Sequence, residues 1–337
     1  MRILNKSKRI EAYLKAEKKK YDQFKEEPKL LILGTSDSGK STFLKQLKIL
    51  HGKGFTPEEF KVAKQNAISN ILTISEQILL KCEQEIQEEY SSLLGFISNV
   101  DGPYDGLPLQ LINSIKTLWN SEQFQNIYIS SQYDYPLTSP HFFNEISRIA
   151  DPESTMTNND VLLLRTVTQS ISDSVFEISG FKVHFYDVSG LKHHRKHWIP
   201  YFDDVNCVVF VVNIAAFDQP MAEDPSKNQM EDAISLFNRI CNNPLLIKSQ
   251  MMLFFNKKDV YAEKVKRINI STFFPDYQGK FTNQIIYVLG KPQSYSEGIE
   301  FFKSKFISLN KTPRNFLIHT TCCTDTNAMN AIASSLL

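Results

Sequence analysis

The sequence lacks any hydrophobic run of the roughly 18–20 residues that a membrane-spanning helix takes. Its N-terminus also lacks the pattern of a secretory signal peptide, in which a positively charged segment is followed by an apolar segment and then by small residues at the cleavage site. Basic and acidic residues nearly cancel, 38 against 37, so overall charge favours neither a nucleic acid nor an acidic membrane as a partner. With 42% hydrophobic and 22% charged residues, the composition is that of an ordinary globular chain.

Cysteines are few, and their spacing excludes the usual cysteine-based sites. The five cysteines are Cys82, Cys207, Cys241, Cys322 and Cys323. Their number is odd, none forms a C-x-x-C pair, and the adjacent Cys322 and Cys323 do not have zinc-ligand spacing. Reduced thiols in the cytosol are the simplest interpretation. The sequence also has no repeat of fixed period, and its length of 337 residues predicts about two domains.

A glycine-rich loop follows the first apolar run and precedes a helical pattern. Residues 31–45 read LILGTSDSGKSTFLK and contain G-x-x-x-x-G-K-S from Gly34 to Ser41, the phosphate-binding loop in its required strand–loop–helix context. Glycines let several backbone N–H groups turn toward a triphosphate, and a helix beginning at Lys40 directs its positive end toward the same anion. Lys40 would contact the β- and γ-phosphates, and Ser41 would offer its hydroxyl to Mg²⁺.

Residues 6–27 are rich in Lys and Glu, and their few apolar residues form one stripe of a helix. Those residues are Ile10, Leu14, Tyr21 and Phe24. Composition leaves two interpretations open, a solvated helix with a narrow contact stripe or a helix that binds a partner. We therefore predict an N-terminal amphipathic helix over residues 1–28.

Helix-period patterns dominate from residue 57 to about residue 160. Thr56 precedes a proline and two glutamates, which is typical of a helix N-cap. Residues 63–86 run without Gly or Pro, and Leu109–Trp119 and His141–Ile149 read as shorter helices. These patterns predict an inserted all-α domain over residues 57–160.

Five short apolar runs alternate with helical patterns in the rest of the chain. The runs are Lys29–Leu33, Phe181–Tyr186, Val205–Val212, Gln250–Phe255 and Leu317–Thr321. Such alternation predicts βαβ units and a parallel sheet of the α/β class, which we assign to residues 29–56 and 161–337. Ligands of such sheets bind at the carboxyl ends of the strands.

Two short motifs follow strands of the predicted sheet. Asp187–Gly190 is a D-x-x-G pattern, whose aspartate can hold Mg²⁺ through water and whose glycine amide can contact a γ-phosphate. Asn256–Asp259 is an N-K-x-D pattern, whose carboxylate can accept two hydrogen bonds from the guanine N1–H and 2-amino group. Adenine lacks that donor pair, so the order of the three motifs predicts guanine specificity and disfavours an ATP-dependent kinase or transporter.

Two further segments have competing interpretations. Thr321–Thr326 follows the last strand and would give backbone contacts to the base, whereas redox chemistry at Cys322 and Cys323 lacks a resolving partner. The run His193–His197 is short for a metal or nucleic-acid site, and the net charge is near zero. We therefore predict no redox, metal-cluster or nucleic-acid function for these segments.

On these motifs the chain resembles the alpha subunits of heterotrimeric G proteins over nearly its whole length. That family's phosphate loop reads GAGESGKST, where this chain has GTSDSGKST at residues 34–42. The family's second switch, DVGGQRSERKKW, is similar to DVSGLKHHRKHW at 187–198, and its TCATDT appears as TCCTDT at 321–326. Residues 160–171, DVLLLRTVTQSI, are similar to DVLRTRVKTTGI. The resemblance implies a P-loop NTPase fold, in which a Ras-like GTPase domain with a parallel sheet carries an inserted all-α helical domain.

The resemblance also implies the residues of a GTP or GDP site. The nucleotide-contacting set is Asp37, Ser38, Gly39, Lys40, Ser41, Thr42, Leu164, Arg165, Thr168, Asp187, Gly190, Asn256, Lys257, Asp259, Cys322 and Cys323. Mg²⁺ would be held by Ser41, Thr168 and, through water, Asp187. Arg165 takes the position of the catalytic arginine, which stabilises charge on the transferring phosphoryl group. The switch segments around Thr168 and Gly190 would be ordered by the γ-phosphate and relax after hydrolysis.

Two departures from the family bear on activity. Leu191 stands where the family has the catalytic glutamine that orients the attacking water, and a leucine side chain neither donates nor accepts a hydrogen bond. We therefore expect GTP binding with very slow hydrolysis, and the alternative is a catalytically idle, GTP-locked module of the same fold that binds effectors. Ser189 replaces a glycine, which restricts the switch hinge.

Partners and location follow from the resemblance alone. The partners would be a beta-gamma dimer, a seven-transmembrane receptor, and effector or RGS-type proteins, with residues 6–27 as the beta-gamma-binding helix. We expect a cytoplasmic protein held at the inner face of the plasma membrane through these partners. The chain begins Met1-Arg2-Ile3 rather than Met-Gly-Cys, so no N-terminal lipidation site is expected.

Overall fold

The computed structural model describes residues 27–99, 102–131, 135–166, 168, 171–221, 223–279, 287–288 and 291–333. They form two compact units, one built from the described residues up to Leu47 and from Thr168 onward, the other from those between Lys48 and Val167. The boundaries predicted for the inserted domain, 57 and 160, lie inside the second unit. The helix predicted over residues 1–28 falls, except for its last two residues, outside the described part of the chain.

A six-stranded sheet forms the centre of the first unit. The strands of the described chain are β1 (Lys29–Gly34), β2 (Ser172–Ile178), β3 (Phe181–Asp187), β4 (Cys207–Asn213), β5 (Pro220–Met221), β6 (Asp224–Asn228), β7 (Gln250–Asn256), β8 (Tyr287–Val288), β9 (Lys291–Pro292) and β10 (Phe316–Thr320). Six of them form the sheet in the order β10-β7-β4-β1-β3-β2, and every pair is parallel except β2 with β3. The predicted parallel sheet is confirmed, with one antiparallel strand added at its edge.

The edge strand β2 is not predicted by the apolar-run pattern, because one of its faces is exposed and polar. In SDSVFEI only Phe176 and Ile178 are buried. A two-residue turn at Ser179 and Gly180 joins it to β3, and both residues have positive φ, 52° and 83°. Turns of this kind match the right-handed twist of a hairpin. A strand that is buried on one face only carries a weaker sequence signal than the buried strands beside it.

Helices cover both faces of this sheet and make up most of the second unit. The helices of the described chain are α1 (Lys40–His51), α2 (Pro57–Leu79), α3 (Gln84–Glu89), α4 (Ser91–Asn99), α5 (Leu109–Trp119), α6 (Glu122–Ser130), α7 (Ser139–Asn144), α8 (Ile146–Ile149), α9 (Asn158–Leu163), α10 (Gln229–Cys241), α11 (Lys258–Lys264), α12 (Gln293–Ser308) and α13 (Thr326–Ala333). Phe43 of α1 contacts Phe254, and Phe237 of α10 contacts Phe210, with ring centroids 5.5 and 5.0 Å apart. Val211 pairs with Phe254, so the adjacent Phe210 points to the opposite face.

The second unit packs around α2 and an aromatic cluster. Thr56 is the N-cap of helix α2, as the sequence predicts, and it forms a capping box in which Thr56 and Glu59 each accept the other's backbone N–H. Trp119 stacks on Phe143 with ring centroids 4.4 Å apart and donates its Nε1–H to Asn144 Oδ1 at 2.8 Å. Within the described ranges, no helix is both long and apolar enough to cross a membrane.

Candidate nucleotide site

The loop between β1 and α1 has a backbone that only glycine permits at two positions. Gly34 and Gly39 have φ values of 147° and 101°. A Cβ on Gly34 would lie 2.2 Å from the carbonyl oxygen of Val211, and a Cβ on Gly39 would lie 2.1 Å from Nδ2 of Asn256. Both glycines of the G-x-x-x-x-G-K-S pattern are therefore required by conformation and by close approach.

Lys40 opens helix α1 and is buried against the loop that precedes it. Its ammonium group donates to the carbonyl oxygens of Thr35 at 2.8 Å and Gly34 at 3.2 Å. Burial lowers the pKa of Lys40 to about 8, and the nearby Asp187 carboxylate opposes that shift. The lysine is thus held beside the first helical turn, where an anion is favoured.

Three side-chain oxygens converge next to this lysine. Ser41 Oγ lies 2.8 Å from Thr168 Oγ1 and donates to Asp187 Oδ2 at 3.0 Å. The other carboxylate oxygen, Asp187 Oδ1, is buried without a hydrogen-bond partner among the described residues. Burial raises the pKa of Asp187, while Lys40 and the Ser41 hydrogen bond oppose the rise. An all-oxygen set with one orphaned carboxylate oxygen fits Mg²⁺, which prefers hard oxygen ligands.

The loop also carries hydroxyl groups that face no protein acceptor. Thr35 Oγ1 and Ser38 Oγ are buried and have no hydrogen-bond partner within the described ranges. Gly190 approaches this loop so closely that an added Cβ would lie 2.5 Å from Lys40 Nζ and 2.6 Å from the Thr35 carbonyl oxygen. Unpaired buried polar groups are costly, so donors of this kind indicate a bound anion or water.

Asn256, at the end of β7, forms side-chain hydrogen bonds with two different loops. Its Nδ2–H donates to the Ser38 carbonyl oxygen at 2.9 Å. Its Oδ1 accepts from the backbone N–H of Cys323 at 3.0 Å and from the Thr321 hydroxyl at 3.2 Å. The side chain is 2% exposed, so these bonds are shielded from water. Asn256 therefore connects the phosphate loop with the loop after β10.

The rest of the N-K-x-D motif lies beside the same loops. Lys257 has a left-handed backbone, φ 63°, and its ammonium group donates to Asp37 Oδ2 at 2.9 Å. Asp259 lies in the first turn of α11. Burial raises the pKa of the Cys322 thiol, with a contribution from the Asp259 carboxylate. Burial also raises the pKa of Cys323 to about 12, which makes it a poor nucleophile at neutral pH.

The segment after β3 is held by hydrogen bonds within the segment and by an ion pair to helix α10. Leu191 is half-buried, and its backbone N–H donates to Ser189 Oγ at 3.4 Å. Arg195, in the 3₁₀ turn Lys192–His197, donates to the Gly190 carbonyl oxygen at 3.3 Å and forms a two-point ion pair with Asp232 of α10. The shorter of its two contacts with Asp232 is 2.6 Å.

Two of the predicted site residues, Leu164 and Arg165, belong to the second unit. Leu164 is 4% exposed and packs in that unit's core, whereas Arg165 is exposed. The other predicted site residues belong to the first unit, and the structure brings them together there. Thr42 is one of them and lies in the first turn of α1.

Sequence reasoning missed two contributors, Asp232 and Gln229. Gln229 donates to the Ser36 carbonyl oxygen in the phosphate loop at 3.4 Å. Each acts on a segment far away along the chain, and neither belongs to a motif with fixed spacing. No local signal in the sequence identifies them.

Comparison with known proteins gives consistent matches over this whole architecture. The family described as G-protein alpha subunit matches residues 4–336. The chain is 34% identical to the guanine nucleotide-binding protein alpha-3 subunit of Caenorhabditis elegans over 318 residues, which are 92% of this chain and 87% of that protein. It is 33% identical to the alpha-9 subunit of Dictyostelium discoideum over 332 residues, 97% of this chain and 92% of that protein.

Proposed function

The chain belongs to the family of G-protein alpha subunits, the guanine nucleotide-binding signalling switches of heterotrimeric G proteins, and from this premise we propose that its first unit binds GTP together with Mg²⁺. The observation that carries the proposal is the Asn256 side chain, which bonds the phosphate loop and the loop after β10 at once. A triphosphate on one loop and a guanine base on the other would then be held by one connected set of residues.

In this proposal the base is read by the N-K-x-D motif. The Asp259 carboxylate accepts the N1–H and 2-amino hydrogens of guanine, and Lys257 and Cys322 would lie beside the base. The loop bearing Cys323 contributes backbone contacts. Adenine would leave the Asp259 carboxylate without its two donors, which is a strong basis for discrimination.

The phosphates are bound by backbone amides from Asp37 to Thr42 and by Lys40. Lys40 exchanges its two carbonyl partners for phosphate oxygens, so the charge that burial disfavours gains an anionic partner. Ser41, Thr168 and, through water, Asp187 would hold Mg²⁺, which neutralises charge on the β- and γ-phosphates. The Gly190 backbone, already against the phosphate loop, would contact the γ-phosphate.

Hydrolysis is proposed to depend on Arg165 and to be limited by Leu191. An arginine that stabilises charge on the transferring phosphoryl group is worth about 10³–10⁵ in rate. Leu191 supplies no group that could orient water, so we infer that this chain turns GTP over slowly. We also propose that residues 57–160 form the inserted helical domain.

A catalytically idle switch is the second candidate, and Leu191 is the specific observation that favours it. Such a chain would bind GTP, order the segments around Thr168 and Gly190, and bind effectors without turnover. Members of this family act with beta-gamma dimers and receptors, and we propose the same partners, together with effector or RGS-type proteins, here. A cytoplasmic position at the inner face of the plasma membrane through those partners remains part of the proposal.

The test compares nucleotide binding and hydrolysis in the purified chain. We expect tight, Mg²⁺-dependent binding of GTP and weak binding of ATP, and equal affinities would contradict the guanine assignment. Leu191→Gln should raise the single-turnover rate by roughly 10²-fold, the lower range for a well-placed catalytic group. Leu245→Gln, at an exposed leucine, is the matched control. Equal rates for Leu191→Gln and the parent chain would refute the role given to residue 191.

A further inference from the structure

The backbone segment that carries Arg165 is fixed to the second unit at three points. Helix α9 ends at Leu163, and Leu164 continues with an extended backbone, φ −69° and ψ 117°, and a buried side chain. The Leu163 carbonyl oxygen accepts the Thr138 hydroxyl at 2.8 Å, and the Arg165 carbonyl oxygen accepts Asn70 Nδ2–H at 3.4 Å. The Thr138 hydroxyl thus satisfies a carbonyl of the last helical turn, and Asn70 bonds the residue that follows Leu164.

The hydrogen bond from Thr138 is not the one that its position at the start of a helix predicts. It is the N-cap residue of α7, where a threonine hydroxyl ordinarily accepts a backbone N–H from the first turn of its own helix. The structure has no such cap bond at Thr138. Its hydroxyl instead donates to Leu163, which is 25 residues away along the chain. The residue therefore serves the segment before Arg165 rather than helix α7.

A small cavity of the second unit lies beside these contacts. Asn70, Thr138 and Arg165 all line it, together with apolar residues that include Ile71 and Phe142. The two anchoring side chains and the arginine thus border one space within a single compact unit. A substitution at Thr138 would therefore first displace the backbone that precedes Arg165.

We propose that Thr138 is a positioning residue that sets the location of Arg165 for GTP hydrolysis, with Asn70 as a weaker second anchor. The proposal rests on the role given to Arg165 under the proposed function. Its physical basis is that electrostatic stabilisation of a transition state depends steeply on the placement of the charged group, and a misplacement of about 1 Å can cost about 10²-fold in rate. Nucleotide affinity, in contrast, depends mainly on the phosphate loop and the N-K-x-D motif, which Thr138 and Asn70 do not contact.

Thr138→Val removes the hydroxyl and keeps the shape of the side chain. We expect the single-turnover rate of GTP hydrolysis to fall by about 2- to 10-fold, the effect of one neutral hydrogen bond, with the affinity for a non-hydrolysable GTP analogue unchanged. Thr138→Ser restores the hydroxyl and should return the rate to within about twofold of the parent chain. Thr117→Val makes the same chemical change at an exposed position of α5 and should leave the rate unchanged.

A double-mutant cycle with Arg165→Ala separates positioning from a general loss of structure. In the Arg165→Ala chain, Thr138→Val should have no further effect on the rate. A Thr138→Val rate equal to the parent rate, or an equal slowing in both backgrounds, would overturn the inference while leaving the proposed function intact. If Arg165→Ala alone left hydrolysis unchanged, the role of Arg165 would fail, and this inference would fail with it. Asn70→Ala, which should give a smaller loss of the same kind, keeps the test informative if Thr138→Val folds poorly.

Discussion

Replacing Asn256 with alanine should destabilise the first unit and weaken nucleotide binding together. The change removes three hydrogen bonds, to the Ser38 carbonyl oxygen, the Cys323 N–H and the Thr321 hydroxyl. A neutral hydrogen bond contributes about 0.5–1.5 kcal/mol net, and an unpaired buried partner adds to the loss. We therefore expect the free energy of unfolding to fall by about 3 kcal/mol, a large share of the roughly 5–15 kcal/mol of a typical domain.

The two tryptophans allow this loss to be measured in one unit at a time. Trp198 lies in the first unit and Trp119 in the second, so a Trp119→Phe background leaves Trp198 to report the first unit by fluorescence during denaturant unfolding. The exposed Asn315→Ala, in the first unit just before β10, is the control and should change stability by less than about 0.5 kcal/mol.

Two results would refute the reasoning about Asn256. One is a loss of less than about 1 kcal/mol in the transition reported by Trp198, because three buried bonds could not then be present. The other is an unchanged affinity for GTP in a destabilised Asn256→Ala chain, because the side chain would then stabilise the fold without shaping the site. Asn256→Asp refines the test, since it keeps the acceptor for Cys323 but places a second oxygen against the Ser38 carbonyl.

Two further predictions concern charge at the phosphate end of the site. Because burial lowers the pKa of Lys40 to about 8, the free protein loses this charge as pH rises through 8, whereas a bound triphosphate favours the protonated form. The GTP affinity measured by titration should therefore fall between pH 7 and pH 9, by up to about tenfold per pH unit above pH 8. Equal affinities at pH 7 and pH 9 would contradict this prediction. Lys40→Gln should abolish that dependence. Asp187→Asn should weaken the Mg²⁺ dependence of GTP affinity by about tenfold or more, while the exposed Asp203→Asn should not, and an unchanged Mg²⁺ titration would remove Asp187 from the metal site.

The sequence by itself determined the motifs and the class of fold. The two glycines of the phosphate loop, the helix N-cap at Thr56 and the buried runs of β1, β4 and β7 are local features. Each depends on backbone conformation or on the periodicity of a few neighbouring residues, and a sequence records both directly. The parallel sheet followed for the same reason, whereas the one-faced strand β2 did not stand out from its polar neighbours.

Only the tertiary structure decided which of these segments meet. Asn256 bonds Ser38 across 218 positions, Lys257 bonds Asp37 across 220, and Ser41 bonds Asp187 across 146. It also decided that Thr138 gives its hydroxyl to Leu163 instead of capping its own helix. Such pairings are fixed by how strands and helices pack into one core, and no pattern within a single segment contains that information.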